Sequence, residues 1–183
     1  MFRTFLAFRI AANPQLKRVH SDLGELGRAV RPVSPDNWHV TLKFLGDTEA
    51  ELLPQVAKIL TEAALALDEF LVDLNGLGAF PSMRRPNVVW VGLRTDAALA
   101  DFVEQLDEKL APLGFPREKR RFTPHLTVAR IKGPPPPELA TFVAHNAHTD
   151  YGSHIVESME LYQSELKAEG ARYTVMATAQ LRS

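Results

Sequence analysis

A chain of 183 residues with 45% hydrophobic side chains can bury a substantial core, which excludes general disorder and suits one compact domain or two packed lobes. It has no cysteine, so a disulfide framework, a thiolate nucleophile and thiolate-bound zinc are excluded, and a reducing cytoplasm is the expected location. With 21 basic and 22 acidic side chains and a net charge of −1, it cannot coat nucleic acid by bulk charge, so any such ligand must be held locally.

Phe2 to Ile10 has the aromatic and apolar make-up of a strand. It is too short and too interrupted by arginine for a signal sequence, and no later run reaches membrane-spanning length, so no membrane partner is expected. Asn13-Pro14 then supplies a cap and first-turn proline for a helix to about Ala29. Asn37 to Leu45 reads as a second strand ended by Gly46-Asp47, and Thr48 to Leu67 is rich in helix formers. Phe70 to Leu77 and Asn87 to Leu93 read as two more strands around a Gly/Pro loop, Gly76 to Pro86.

The second half opens with Thr95 as the cap of a helix whose Leu99, Phe102, Val103, Leu106 and Leu110 follow helical spacing, closed by Pro112 and Gly114. A short basic segment, Arg117 to Arg121, leads into a strand from Phe122 to Ile131, stopped by Gly133 and four prolines. Pro137 to His148 reads as a helix. Gly152 to Leu166 and Arg172 to Leu181 read as long strands joined by the Lys167–Gly170 turn. The order predicts an α+β protein with at least six strands and four helices.

One internal repeat carries chemistry. Trp38-His-Val-Thr-Leu-Lys-Phe-Leu-Gly46 resembles Pro124-His-Leu-Thr-Val-Ala-Arg-Ile-Lys-Gly133, one copy in each half of the chain. On a strand, His39 and Thr41 share one face while Val40 and Leu42 take the other, and His125 and Thr127 sit likewise against Leu126 and Val128. Each segment thus offers one imidazole and one hydroxyl above an apolar anchor. A lone His-x-Thr is usually a structural histidine with its hydrogen bonds satisfied; two copies facing a shared cleft predict an acid and base pair. Opening a cyclic phosphodiester needs one group to deprotonate water and another, opposite it, to protonate the departing ribose oxygen. Threonine hydroxyls donate to the non-bridging oxygens as charge builds there.

On these residues the sequence resembles the two-histidine (2H) phosphoesterases and, within them, the RNA 2′,3′-cyclic phosphodiesterases, also called 2′-5′ RNA ligases. The likeness extends through the Phe2-Arg-Thr-Phe-Leu-Ala-Phe start, Phe80-Pro81 with Arg85-Pro86, Val89-Trp90, Phe122-Thr-Pro-His-Leu-Thr-Val-Ala-Arg130, and Leu161-Tyr-Gln-Ser-Glu-Leu166 with Gly170 and Tyr173. It implies one domain, 1–183, of two pseudo-symmetric lobes around a central cleft, each an antiparallel sheet with helices outside. It also implies hydrolysis of terminal 2′,3′-cyclic phosphates to 2′-phosphates without metal or cofactor, and reversible 2′-5′ joining. The implied partner is RNA with such an end, a tRNA fragment for example, and a monomer is expected. His39 would protonate the leaving 3′-oxygen, His125 would activate water, and Thr41 and Thr127 would hold the phosphate, although opposed histidines can exchange tasks between cleavage and synthesis.

Supporting residues are read by face. Lys43 shares the face of His39 and Thr41 and offers charge, with a solvated lysine as the plainer description. Arg130 falls on the face opposite His125 unless a bulge intervenes. Arg121, with Arg117, Lys119 and Arg120, is placed to guide an RNA backbone, though short charge runs are usually solvated loops. Phe80, read as a loop residue, is the preferred base-stacking candidate over Trp38, Phe44 and Trp90, whose strand positions suit a core. His145, His148, Asp150 and His154 would suggest a metal site and another class of enzyme. The competing readings are a non-catalytic RNA-end binding module and the same chemistry on 2′,5′-linked oligonucleotides or small cyclic nucleotides.

Overall fold

Phe5, Leu6, Ala7 and Phe8 are consecutive and all buried, so strand β1 (Phe2–Arg9) is covered on both faces, as a central strand is. The computed structural model describes residues 1–183. After β1, Asn13 caps helix α1 (Pro14–Gly24), its Oδ1 accepting from the Leu16 backbone at 2.8 Å, and Leu16, Val19 and Leu23 form the buried stripe. The helix stops at Gly24, short of the expected Ala29, because the following Val30–Pro32 is a strand, β2, too short to register in a sequence pattern.

The motif strand β3 (His39–Thr48) runs through Gly46 rather than ending there. Helix α2 (Leu53–Ala64) begins only after a 3₁₀ turn at Ala50–Leu52, which puts Pro54 in the first turn, where its missing N–H has no partner to lose. Strand β4 (Phe70–Phe80) likewise runs on past its expected end at Leu77. Gly76, at φ +74°, is an extra residue in the ladder against β5 (Val88–Arg94), and a Cβ there would lie 2.3 Å from the Ala147 carbonyl oxygen. Phe80 is therefore the last residue of a strand, not a loop residue. Helix α3 (Ala97–Leu110) is capped by Asp96, whose Oδ1 accepts from Ala98 N at 3.0 Å, and not by Thr95.

Strand β6 starts at His125 itself and ends at Ile131, three residues shorter than expected at its start. Helix α4 (Glu138–His145) also stops early. The long run Gly152 to Leu166 is two strands, β7 (Asp150–Val156) and β8 (Ser158–Lys167), and β9 (Gly170–Gln180) completes the hairpin.

One four-stranded sheet has the order β3-β1-β8-β9 and one five-stranded sheet the order β2-β6-β5-β4-β7, and every pairing within them is antiparallel. Glu157 is where the chain steps from the second sheet to the first. Helices α2 and α3 cover the first sheet, while α1 and α4 cover the second. The lobes are therefore not the two halves of the chain: each half sends its first helix across to the other lobe. This exchange joins both lobes in one continuous apolar core that includes Phe8, Trp38, Leu60, Leu74, Leu106 and Leu126. No helix is long and apolar enough to cross a membrane.

Candidate active site

The motif strands meet where the lobes meet. β3 is the edge of the first sheet, β6 is separated from the edge of the second only by the three-residue β2, and β3 and β6 lie against each other. In each motif the apolar residues Val40 and Leu42, or Leu126 and Val128, are buried, and the His and Thr are only partly so. That is the alternation that binary patterning predicts.

Immediately after each motif threonine the alternation breaks in the same way. Ala7 pairs with Thr41 and Leu6 with Lys43, so Leu42 is an extra residue; Trp90 pairs with Thr127 and Val89 with Ala129, so Val128 is another. Two matched bulges invert the faces that follow. Lys43 and Ala129 turn inward, while Phe44, 74% exposed, and Arg130, also exposed, emerge on the faces of their histidines. Arg130 thus gains the bulge its placement required. Lys43 moves the opposite way: it is neither on the His39 face nor a solvated lysine.

Both rings are held alike. Nδ1 of His39 donates to the Asn37 carbonyl at 2.7 Å, and Nδ1 of His125 donates to the Thr123 carbonyl at 3.0 Å. A carbonyl only accepts, so each Nδ1 carries hydrogen and each neutral ring keeps Nε2 as its acceptor. An aromatic edge fixes each ring from the side. Tyr173 stands T-shaped on His39 at 5.0 Å and Phe80 T-shaped on His125 at 5.0 Å, with Phe5 a further 4.9 Å neighbour of His39. Burial pushes the pKa of His39 below its ordinary 6.5, the Asn37 carbonyl opposes this, and the charges of Arg130 and His125 lower it further. Burial and then Glu160 push the nearby Tyr162 phenol up to about 12, keeping it neutral.

Thr41, Phe44, Phe80 and His125 line one cleft of about 1280 Å³ together with Arg121 and the rest of the basic segment. His39 is not among its lining residues, and the charges of both Arg130 and His125 act on it. Phe80 packs 5.2 Å from Trp90, whose ring lies across Gly78, where any Cβ would meet it at 2.1 Å. Trp38 is core, 1% exposed, with Nε1 donating to the Val33 carbonyl.

Lys43 is buried in an ion pair with Asp107 of α3 and also donates to the Pro116 carbonyl at 2.8 Å, while Asp107 Oδ2 accepts from Glu118 N at 2.7 Å. The pair pins the basic segment to the cleft wall. Arg117 is tied to Glu104 and Glu108; Lys119, Arg120 and Arg121 are exposed and in no ion pair. Nowhere do three His, Asp or Glu side chains gather as a metal-ligand set, so His145, His148, Asp150 and His154 do not form one. The pinning by Asp107, the Phe5 and Tyr173 packing on His39, and the exposure of Phe44 were missed in the sequence, because each depends on contacts between segments far apart in the chain.

Two interlocked antiparallel lobes with a His-x-Thr strand from each at their seam define the class of two-histidine phosphoesterases. The model of the family "LigT like Phosphoesterase" matches the chain twice, over residues 10–90 and 91–173, and the chain belongs to that family. Each match contains one His-x-Thr motif. Among curated relatives, the RNA 2′,3′-cyclic phosphodiesterase of Aeropyrum pernix is 34% identical over 88% of this chain and 92% of its own. That of Methanothermobacter thermautotrophicus is 32% identical over 98% of both. Of solved structures, TT0787 of Thermus thermophilus superposes with a TM-score of 0.79 at 28% identity over 99% of this chain and 98% of that one. E. coli LigT complexed with 3′-AMP gives 0.75 at 25% identity over 100% and 99%.

Proposed function

We propose that this protein hydrolyses RNA 2′,3′-cyclic phosphate ends to 2′-phosphates, without a metal, by paired-histidine acid and base catalysis. The observation that carries the reading is the matched anchoring of the two rings, which leaves an Nε2 on each motif free for proton transfer. The curated relatives named for this activity support the substrate. Nε2 of His125 takes a proton from water as its oxygen bonds to phosphorus. The bond from phosphorus to the 3′-oxygen breaks, and Nε2–H of His39 supplies that oxygen's proton. Thr41 and Thr127 donate to the non-bridging oxygens. Phe80 stacks the terminal base, and Arg121 and Arg130 contribute positive charge. An RNA 5′-hydroxyl in place of water yields a 2′-5′ linkage by the same proton movements.

The lowered pKa of His39 gives this reading a pH signature. In the free enzyme the ring loses its proton below pH 6.5. An anionic phosphate seated beside it favours the charged ring and raises the value again. If His39 is the acid, kcat/KM falls as pH rises through that lowered free-enzyme value, whereas kcat persists to higher pH. A kcat/KM alkaline limb that does not lie below pH 6.5 would remove His39 from the acid role.

The direct test incubates an oligonucleotide ending in a 2′,3′-cyclic phosphate with the protein in chelator and follows phosphorus by NMR. A 2′-monoester product is expected. Binding without turnover would leave the RNA-end binding module, and turnover that stops in chelator and returns with a divalent metal would remove the metal-free mechanism.

A further inference from the structure

In the pairing of β2 with β6, Arg31 stands directly opposite Arg130. Their neighbours Val30 and Ile131 are the opposed pair that faces the core, so both arginines point to the other face, which the Val128 bulge makes the face of His125 and Thr127. Directly opposed strand residues have Cα atoms about 4.5–5.5 Å apart, and like charges there disfavour the pairing. Neither arginine is in any of the protein's six salt bridges, and both are exposed. β2 thus places a second unpaired guanidinium beside the first with no acidic group to balance it.

The register continues from these residues. Arg130 pairs with Val88 and Val88 with Phe80, so one row of cross-strand neighbours, Arg31, Arg130, Val88 and Phe80, crosses the open face. Three strand spacings, about 14 Å, separate its charged end from the aromatic end. The two His-x-Thr pairs already provide for the reacting phosphate, which leaves the two arginines to serve another.

We propose that Arg31 and Arg130 together seat a second phosphate, the diester joining the terminal nucleotide to the one before it, and so make the enzyme favour an oligonucleotide over a single nucleotide. The inference rests on the RNA-end reading above. Two adjacent planar guanidiniums can present several parallel donors to a phosphate's oxygens, which one lysine cannot. The phosphate in turn neutralises the repulsion between them, so the cost of opposing like charges in the empty protein is recovered on binding.

The test compares affinities of the whole protein for a trinucleotide ending in a 3′-phosphate and for a nucleoside 3′-monophosphate, as wild type, Arg31→Ala and Arg31→Glu. Each variant is expected to lose about tenfold or more on the trinucleotide beyond any loss on the monophosphate. The slope of log affinity against log salt should flatten by about 0.7 for the trinucleotide alone. Arg31→Glu adds a readout that a merely structural role would not give. Its carboxylate opposes Arg130, so the unfolding midpoint should hold or rise while trinucleotide affinity drops furthest. Equal losses on both ligands, or no loss on either, would overturn the proposal. Turnover of a cyclic-phosphate oligonucleotide is measured alongside: a wild type that cleaves none refutes the catalytic reading, while the affinity comparison still decides the arginines.

Discussion

Replacing His39 or His125 by alanine should lower kcat/KM on a 2′,3′-cyclic phosphate oligonucleotide by roughly 10²–10⁴-fold, the usual contribution of one general acid or base. The two losses should not multiply. In the proposed mechanism proton donation and removal belong to one displacement, so the double variant should fall little below the worse single one. The fold should survive both changes, because each ring is only partly buried and the strands are anchored by Val40, Leu42, Leu126 and Val128. Rates measured on variants with wild-type circular dichroism therefore report chemistry. A His125→Ala enzyme within a factor of a few of wild type would sink the mechanism, since the other ring held this way, His39, already has the acid role in the same step.

The two His-x-Thr motifs were legible because they obey a local rule. His39, Thr41, His125 and Thr127 are spaced by two on strands whose intervening residues are apolar, and the structure keeps them so. What followed each motif was not legible. A bulge at Leu42 and another at Val128 come from how β3 fits β1 and how β6 fits β5, and one extra residue exchanges the faces of Lys43 and Phe44, or of Ala129 and Arg130. Strict alternation therefore gave both Lys43 and Arg130 the wrong face. Glycines misled for a related reason. Gly46 read as a strand end and Gly76 as the start of a loop, but each has positive φ inside a continuing strand, and the ladder beside Gly76 absorbs it as a bulge. The split of Gly152–Leu166 at Glu157 was hidden because both pieces have strand composition and differ only in the sheet they join.

The exchange of first helices between lobes bears on how the site is held. Because α1 packs on the sheet of β6 and α3 on the sheet of β3, neither lobe is complete without a segment from the other half of the chain. The seam carrying both histidines is thus continuous with the core, and opening it would expose apolar surface from both lobes. The basic segment that follows α3 inherits this arrangement. It is delivered to the mouth of the cleft by a helix already fixed against β3.

Asp107→Ala should destabilise the protein by about 3–5 kcal/mol, the cost of leaving one partner of a buried ion pair uncompensated. The Lys43 and Asp107 side chains are 7% and 9% exposed, and without the carboxylate the Lys43 ammonium keeps only the Pro116 carbonyl. Against a typical total stability of about 5–15 kcal/mol this is a large fraction. Urea denaturation followed by circular dichroism measures it, and a variant within about 1 kcal/mol of wild type, roughly the value of an exposed pair, would show that the ammonium finds water instead. The same carboxylate also accepts from Glu118 N, so its loss frees the start of the segment carrying Lys119, Arg120 and Arg121. The two roles separate in the double variant Lys43→Met, Asp107→Leu. Apolar side chains of similar volume commonly replace a buried ion pair without loss, so stability should return. The bond to Glu118 does not return, so affinity for an RNA end should stay below wild type even in the restabilised protein. Full recovery of both would mean that the basic segment is held by its own turn, where Glu118 accepts from the Lys119 and Arg120 backbone, and that Asp107 serves only to neutralise Lys43.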